Sequence, residues 1–537
     1  MPRLAQIIVF VMCQIGSAPT NARDYWYEGS QPMQMEKKEA TAVDGKLLPR
    51  VLIDQSHDFR FIVLHLGTFL KTHGFFGTMS HATLEPRIYR NCDIIVTHQS
   101  WSDVGYAGEQ VKSLKEFVRN GGGLLLLGYG PGYVDYAKSK ALAFDSWPIN
   151  RLAGEFGFQF DAVAGRLPVV VQAHNLTEGV QEVTYEDKTP RLGTVTIPSE
   201  ASVLLADSAG KAVLAVRTFG RGRVAVLTEY RFIKTIDETM NERIFVNLFE
   251  WLGAASPNTA RFATYSAEDL FPGIELHKGH DYELVDKPEP PNWNGGPDYI
   301  WPEIQINRGA ITLQYAASMK KRAEYIVEQY PRVYETIFDL FKVEPAREMI
   351  IEALPTAGGG YHWTREKLVA IGSLADDKAV VGIMGHEMVH GWGLPTPKNF
   401  PHGWTAFTDD YLETNLKLKP PEKIAEEWKQ ELATVTKVDP QLDSLDVTES
   451  TADPVRQRIL DKKVGWMLKE LEKKYGLAFF SRLAMIYRQR SPERIDVETY
   501  EDLPIDDFIY YASLAAAEDL YPWFQRLGTT VHPRKIE

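Results

Sequence analysis

His386 and His390 stand four residues apart in a stretch whose neighbours are almost all apolar, and few folds can accommodate that spacing. On an α-helix, residues four apart share a face, so both imidazoles can be presented to one metal ion. Glu387 projects beside them, where its carboxylate can take a proton from water held at the ion. The preceding run Ala379-Val380-Val381-Gly382-Ile383-Met384 is apolar enough to bury the helix in a core. Gly391, Gly393 and Pro395 then supply the stop. The pattern predicts a metal centre on a buried helix. A helix with two partly buried histidines and no metal is the alternative that the same residues permit.

A chain of 537 residues exceeds what one hydrophobic core organises, so two or three domains are expected. With 44% apolar and 24% charged residues the composition is that of a globular protein, and a net charge of −13 argues against nucleic acid as partner. Residues 1–22 read as a secretory signal: Arg3 gives a positive start, Leu4 to Ile15 a short apolar stretch, and Ala18 or Ala22 a small cleavage residue. No later segment reads as transmembrane. Removal of that signal takes Cys13 and leaves Cys92 alone, so a secreted chain would hold no internal disulfide. Asn175-Leu176-Thr177 is a glycosylation sequon, relevant in a eukaryotic secretory pathway.

Residues 45–253 read as an α/β domain. Apolar strands are expected at Arg50 to Asp54, Cys92 to Thr97 and Leu124 to Leu127. They alternate with helices at Phe59 to Thr72 and Glu109 to Asn120. That alternation implies a mostly parallel sheet with helices on both faces. A β-rich continuation includes Ala212 to Val216 and Arg223 to Thr228. The boundary is placed at Gly253 to Asn258. The segment Lys287 to Trp301, rich in proline, glycine and aromatics, predicts a loop whose rings either line a groove or pack among themselves. Residues 260–420 are expected to form the core around the metal helix. Ala316 to Phe341 shows helical periodicity interrupted by Pro331, and Lys367 to Gly372 is a strand that could hold a substrate along its edge. Residues 421–537 read almost wholly as helices.

Two histidines do not complete a catalytic zinc site, which normally has three protein ligands and water. Positions 393 and 396 are Gly393 and Thr396, which disfavours the three-histidine arrangement of short spacing. The candidate region is the helix expected at His402 to Leu416. Here the chain resembles the gluzincins, whose third ligand is a glutamate on a second helix. An α/β module ahead of such a domain is similar to the enhancin-like, mucinase-type peptidase family, some members of which carry an amidotransferase-like domain. Eighteen residues separate His390 from Asp409, a gluzincin-like spacing, but the residue is aspartate. Aligning Gly403-Trp404 and Phe407-Thr408 to the family's second helix puts Thr405 in the glutamate slot. Asp409 is favoured as third ligand, with Glu413 as the alternative; both lie on the Thr405 face of that helix.

The resemblance implies a fold of two parts: an amidotransferase-like α/β domain, then an α+β to mainly α gluzincin-type domain. It also implies a secreted zinc-dependent peptidase acting on extracellular proteins or glycoproteins. His386, His390 and Asp409 would hold zinc, and Glu387 would act as general base. A tyrosine or histidine would stabilise the oxyanion, with Tyr361 and Tyr411 as candidates. In the first domain, Tyr129 occupies the turn where amidotransferases of this class place a nucleophilic cysteine, and Cys92 opens a different strand, so no glutaminase chemistry is expected. The competing reading is a non-catalytic member that keeps the fold and acts as a binding or membrane-protein-associated factor.

Overall fold

The computed structural model describes short strand pairs between residues 38 and 47 and then residues 48–536, except 185–190, 229, 234, 237–238, 259–263, 266, 275, 277–297, 309–310, 347–348, 358, 364–367, 452 and 496–502. The expected signal (1–22) and most of the aromatic loop (287–297) lie outside the described residues.

The first half is built on a mostly parallel sheet. Strands β1 (Arg50–Asp54), β2 (Phe76–Ser80), β3 (Ile94–Gln99) and β4 (Gly123–Gly128) alternate with helices α1 (Phe61–Thr72), α2 (Gly108–Arg119) and α3 (Gly130–Ser139). Strand β1 is buried along its whole length, as are β3 and β4, which is why each carries an apolar run, Val51 to Ile53, Ile94 to Val96 and Leu124 to Leu127. A hairpin of β5 (Ala212–Phe219) and β6 (Gly222–Leu227) follows, with β6 parallel to β4, and α4 (Thr239–Gly253) closes the half. The central order is β2-β1-β3-β4-β6-β5, so chain direction across the sheet reverses between β1 and β3. Ligands of open α/β sheets bind in the crevice at that switch point. Here buried side chains of the chain itself fill it. Asp54 accepts bonds from Ser56 Oγ and Thr97 Oγ1 at 2.7 Å and pairs with His57 Nδ1 at 2.8 Å. Burial works against the Asp54 charge, but His57 and these donors outweigh it and hold the carboxyl at about 2. Cys92 is buried, and that burial pushes its thiol far above the usual range.

The second half adds a strand to the first. β7 (Asp298–Ile300) lies parallel to β2 at the sheet edge. It leads into a second sheet of β8 (Ile304–Arg308), β9 (Ile311–Tyr315), β10 (Met349–Leu354), β11 (Gly360–Trp363) and β12 (Leu368–Gly372), in the order β8-β9-β10-β12-β11. Helices α5 (Lys320–Phe341), α6 (Asp377–His390), α7 (Phe400–Asn415), α8 (Pro421–Thr436), α9 (Pro454–Tyr475), α10 (Ala478–Arg490) and α11 (Ile505–Ala516) make the rest largely helical. Helix α5 runs through Pro331 instead of breaking there. One missing backbone bond costs about 3 kcal/mol. The buried face of Ile326, Val327, Tyr330, Val333, Ile337 and Leu340 offsets it. The halves share a core, since Leu354, Tyr361, Leu368 and Ala370 pack with Phe59, Phe69 and Leu70. His81 Nδ1 also meets Glu352 Oε1 at 2.6 Å in a buried inter-half pair. Tyr299 is buried and Trp301 packs against the same core, so the described end of the aromatic loop packs inward.

Expected strand Lys367 to Gly372 is present as β12, but it is not an edge. β10 pairs with it on one side and β11 on the other, leaving β11 outermost.

A buried ion pair ties the α8–α9 connection to the C-terminal segment. Lys463 Nζ lies 2.7 Å from Asp439 Oδ2 and donates to the carbonyls of Leu445 and Leu527 at 2.6 and 2.8 Å, with both charged side chains fully buried. Asp439 also accepts the backbone N–H groups of Asp443, Ser444 and Leu445. Asp439→Ala strands the ammonium and is expected to destabilise the protein by about 3–5 kcal/mol. Lys463→Met leaves the carboxylate its backbone donors and should cost less; denaturant midpoints of the two variants decide. Burial opposes the Asp439 charge, yet Lys463, Ser444 and the backbone donors hold its carboxyl at about 2, below the ordinary 3.8. The stabilisation is therefore complete above about pH 4 and is lost as pH falls through about 2.

Candidate metal centre

Helix α6 begins at Asp376, whose carboxylate accepts the backbone N–H groups of Lys378 and Ala379 at 3.1 and 3.0 Å. Asp376→Ala should cost about 1 kcal/mol. A fall of a few degrees or less in the thermal midpoint would report it. Metal binding should be unaffected, because Asp376 lies about 15 Å along the helix from His386. The helix is enclosed nearly all round, with Val380, Val381, Met384, Glu387, Met388 and Val389 buried.

His386 and His390 lie one turn apart with ring centroids 5.2 Å apart. Helix α7 crosses α6 antiparallel, so that His390 faces His402 at 5.5 Å between centroids and His386 faces Asp409 seven residues further on. Gly403 permits close packing against α9, because a Cβ there would lie 2.2 Å from Val464 Cγ1. One turn from Val464 on α9, Asp461 Oδ2 lies 3.8 Å from His402 Nδ1. His386 and His402 keep 31% and 39% of their side-chain surface open. They are crowded by protein all the same.

Asp409 Oδ2 is 2.9 Å from His386 Nδ1, so the favoured third ligand engages the ring nitrogen on the side away from Nε2. Glu413, the alternative, is held by Lys419 at 2.8 Å. Thr405 is fully buried and donates its hydroxyl to the His402 carbonyl at 3.1 Å. Tyr361 turns from the site to pack on Phe59, and Tyr411 sits where Asp339 and Lys342 act on it, at the end of α5. Two further histidines stand by the site. His402 stands on the face that carries Thr405 and Asp409, a spacing of three and seven that could have flagged it. His362 on β11 has its ring 6.4 Å from that of His390.

Edge strand β11 presses on Glu387. A Cβ at Gly360 would lie 2.8 Å from Glu387 Oε1. Glu387 is 7% exposed, and burial pushes its carboxyl up to about 7, with His386 opposing and Asp409 adding to the rise. Burial disfavours the charged form of His386 too, but the Asp409 charge and hydrogen bond raise it to about 9. Burial, with His386 beside it, lowers His402 to about 4; burial and the neighbouring imidazoles lower His390 well below its usual value. His390 and His402 are thus neutral donors at pH 7.

No group of three or more His, Cys, Asp and Glu among the described residues is closed tightly enough to hold an ion as placed. The donor types nevertheless suit zinc. Three imidazoles on one tetrahedral zinc have ring centroids about 5 Å apart. Two of the three separations here are 5.2 and 5.5 Å and the third, His386 to His402, is 6.4 Å. A shift of about 1 Å, within the reach of side-chain torsions, closes the set. A groove of about 660 Å3 lined by Trp428, Leu432, Trp466 and Leu477 holds none of these residues. Among the described residues no helix is long and apolar enough to cross a membrane.

No protein-family model matches the sequence, and no curated protein matches it. Among solved structures, the N-terminal domain of mmIFT52 is 18% identical over 38% of this chain and 96% of that one, with a TM-score of 0.30. The cytoplasmic protein STM1381 of Salmonella typhimurium is 15% identical over 38% of this chain and 98% of that one, with a TM-score of 0.27. Native leukotriene A4 hydrolase of Saccharomyces cerevisiae is 13% identical over 43% of this chain and 40% of that one, with a TM-score of 0.30. The chain thus spans less than half of that hydrolase. All three likenesses are weak, and no part of the site rests on them.

Proposed function

We propose that the chain is a zinc-dependent peptidase acting on extracellular proteins or glycoproteins, with His386 and His390 among the ligands and Glu387 as general base. The observation that carries this reading is the placement of Glu387: a buried carboxylate beside two imidazoles of one helix face, under the outermost strand of a sheet. Bound there, zinc would polarise the scissile carbonyl and acidify water. Glu387 takes the proton of the attacking water and passes it to the leaving nitrogen. Strand β11 offers backbone groups to an extended peptide laid along it. His362, on the same face of β11 as Gly360, is the residue we place at the oxyanion. The glycoprotein substrate follows only from the resemblance to the mucinase-type family, and secretion from the signal read in residues 1–22.

The test is hydrolysis of a denatured protein and of a mucin-type glycoprotein, before and after chelation and zinc restoration. Cleavage lost on chelation and regained with zinc supports the reading; zinc uptake without cleavage of either counts against a peptidase. Thr405 in the glutamate slot favours a second reading, a non-catalytic binding protein, which expects no cleavage with or without zinc.

A further inference from the structure

The geometry points to His402 as the third zinc ligand of this site, with Asp409 acting as a positioning residue that orients His386. This assignment rests on the zinc-peptidase reading and gives its helix pair a ligand set of His386, His390 and His402. Three observations carry it. First, the ring of His402 lies 5.5 Å from that of His390 and 6.4 Å from that of His386, close to the separations around one tetrahedral ion. Second, Asp409 holds Nδ1 of His386, the nitrogen opposite the one that a shared ion would use. From there its carboxylate stands beyond reach of an ion on Nε2. A carboxylate on the far nitrogen of a ligating histidine fixes the tautomer and the ring plane, which is the usual support for such a ligand. His402 has a carboxylate on the corresponding side, Asp461 at 3.8 Å from Nδ1. Third, the other carboxylate candidate is occupied, since Glu413 is tied to Lys419.

Helix geometry lets His402 serve where threonine stands at 405. Positions 402 and 405 are neighbours on one face of α7. A glutamate at 405 would extend from the fully buried Thr405 position towards α6. With the shorter threonine there, its hydroxyl bonded to its own helix, the space is left to a long planar side chain one turn earlier.

The experiment measures zinc per chain and zinc affinity, by chelator competition, on purified full-length protein and on His402→Gln, Asp409→Asn, Glu413→Gln and the double variant His402→Gln/Thr405→Glu. Cobalt-substituted samples give a second readout, the visible absorption of a tetrahedral site. The assignment expects His402→Gln to weaken zinc by about 100-fold or more and to abolish the cobalt band. Asp409→Asn should keep one zinc and the band while weakening affinity about 10–100-fold, as loss of an outer partner does. Glu413→Gln should be unchanged, and Thr405→Glu should restore binding to the His402→Gln chain, which also shows that this chain still folds. Unaltered zinc affinity in His402→Gln, or loss of the cobalt band in Asp409→Asn alone, overturns the assignment and leaves the functional reading standing. An unsubstituted chain that takes up no zinc overturns both.

Discussion

Glu387→Gln should retain zinc and lose peptide hydrolysis by about 10²–10⁴-fold, the range that a positioned general base contributes. Glutamine matches glutamate in size, so the buried slot under β11 stays filled and the helix is undisturbed. The amide cannot accept a proton from water, and it has no proton to return to the leaving nitrogen. Removing a charge that is costly to bury should also leave the chain as stable as before, or slightly more so. The check is kcat on a protein substrate together with metal content and thermal midpoint from one preparation. Undiminished turnover in a zinc-loaded variant would remove Glu387 from the chemistry.

Gly360→Ala is the second large effect, and it arises from a residue that contributes no functional group. A methyl group there would stand 2.6 Å from the Ala370 carbonyl oxygen and 2.8 Å from Glu387 Oε1. Either β11 lifts from β12 or the carboxylate swings away. A displacement of about 1 Å at a catalytic group costs about 100-fold in rate. The expected result is a loss of that order in kcat/KM with zinc affinity retained, since neither His386 nor His390 is touched. Gly360→Ala turning over as fast as the unsubstituted chain would show that β11 does not frame the reacting groups.

The sequence made some of these features readable and hid others for definable reasons. Buried parallel strands such as Leu124 to Leu127 announce themselves as apolar runs, and helix α6 carries its own histidine spacing and glycine stop. Strand β2 reads Phe-Gly-Thr-Met-Ser and has no such run; β7 is three residues long and pairs with a strand more than two hundred residues earlier. Neither periodicity nor composition reports a pairing of that kind. The outermost position of β11 was equally invisible, because edge and interior strands differ in their neighbours and not in their own residues. The hydrogen bond of Asp409 to His386 depends on how far α7 slides along α6. That register is set by close approaches at the helix contact, such as Gly385, where a Cβ would lie 2.3 Å from Leu412 Cδ1, and not by the spacing of polar residues. His402 was legible in principle, one turn before Thr405 on the helix face that also carries Asp409 and Glu413.

The most direct measurement is the zinc-to-protein ratio of the purified full-length chain after extensive dialysis, by elemental analysis. The account predicts about one zinc per chain, with tetrahedral cobalt absorption on substitution. A ratio near zero that stays there after zinc is added would contradict a metal centre at His386 and His390, and with it the peptidase reading.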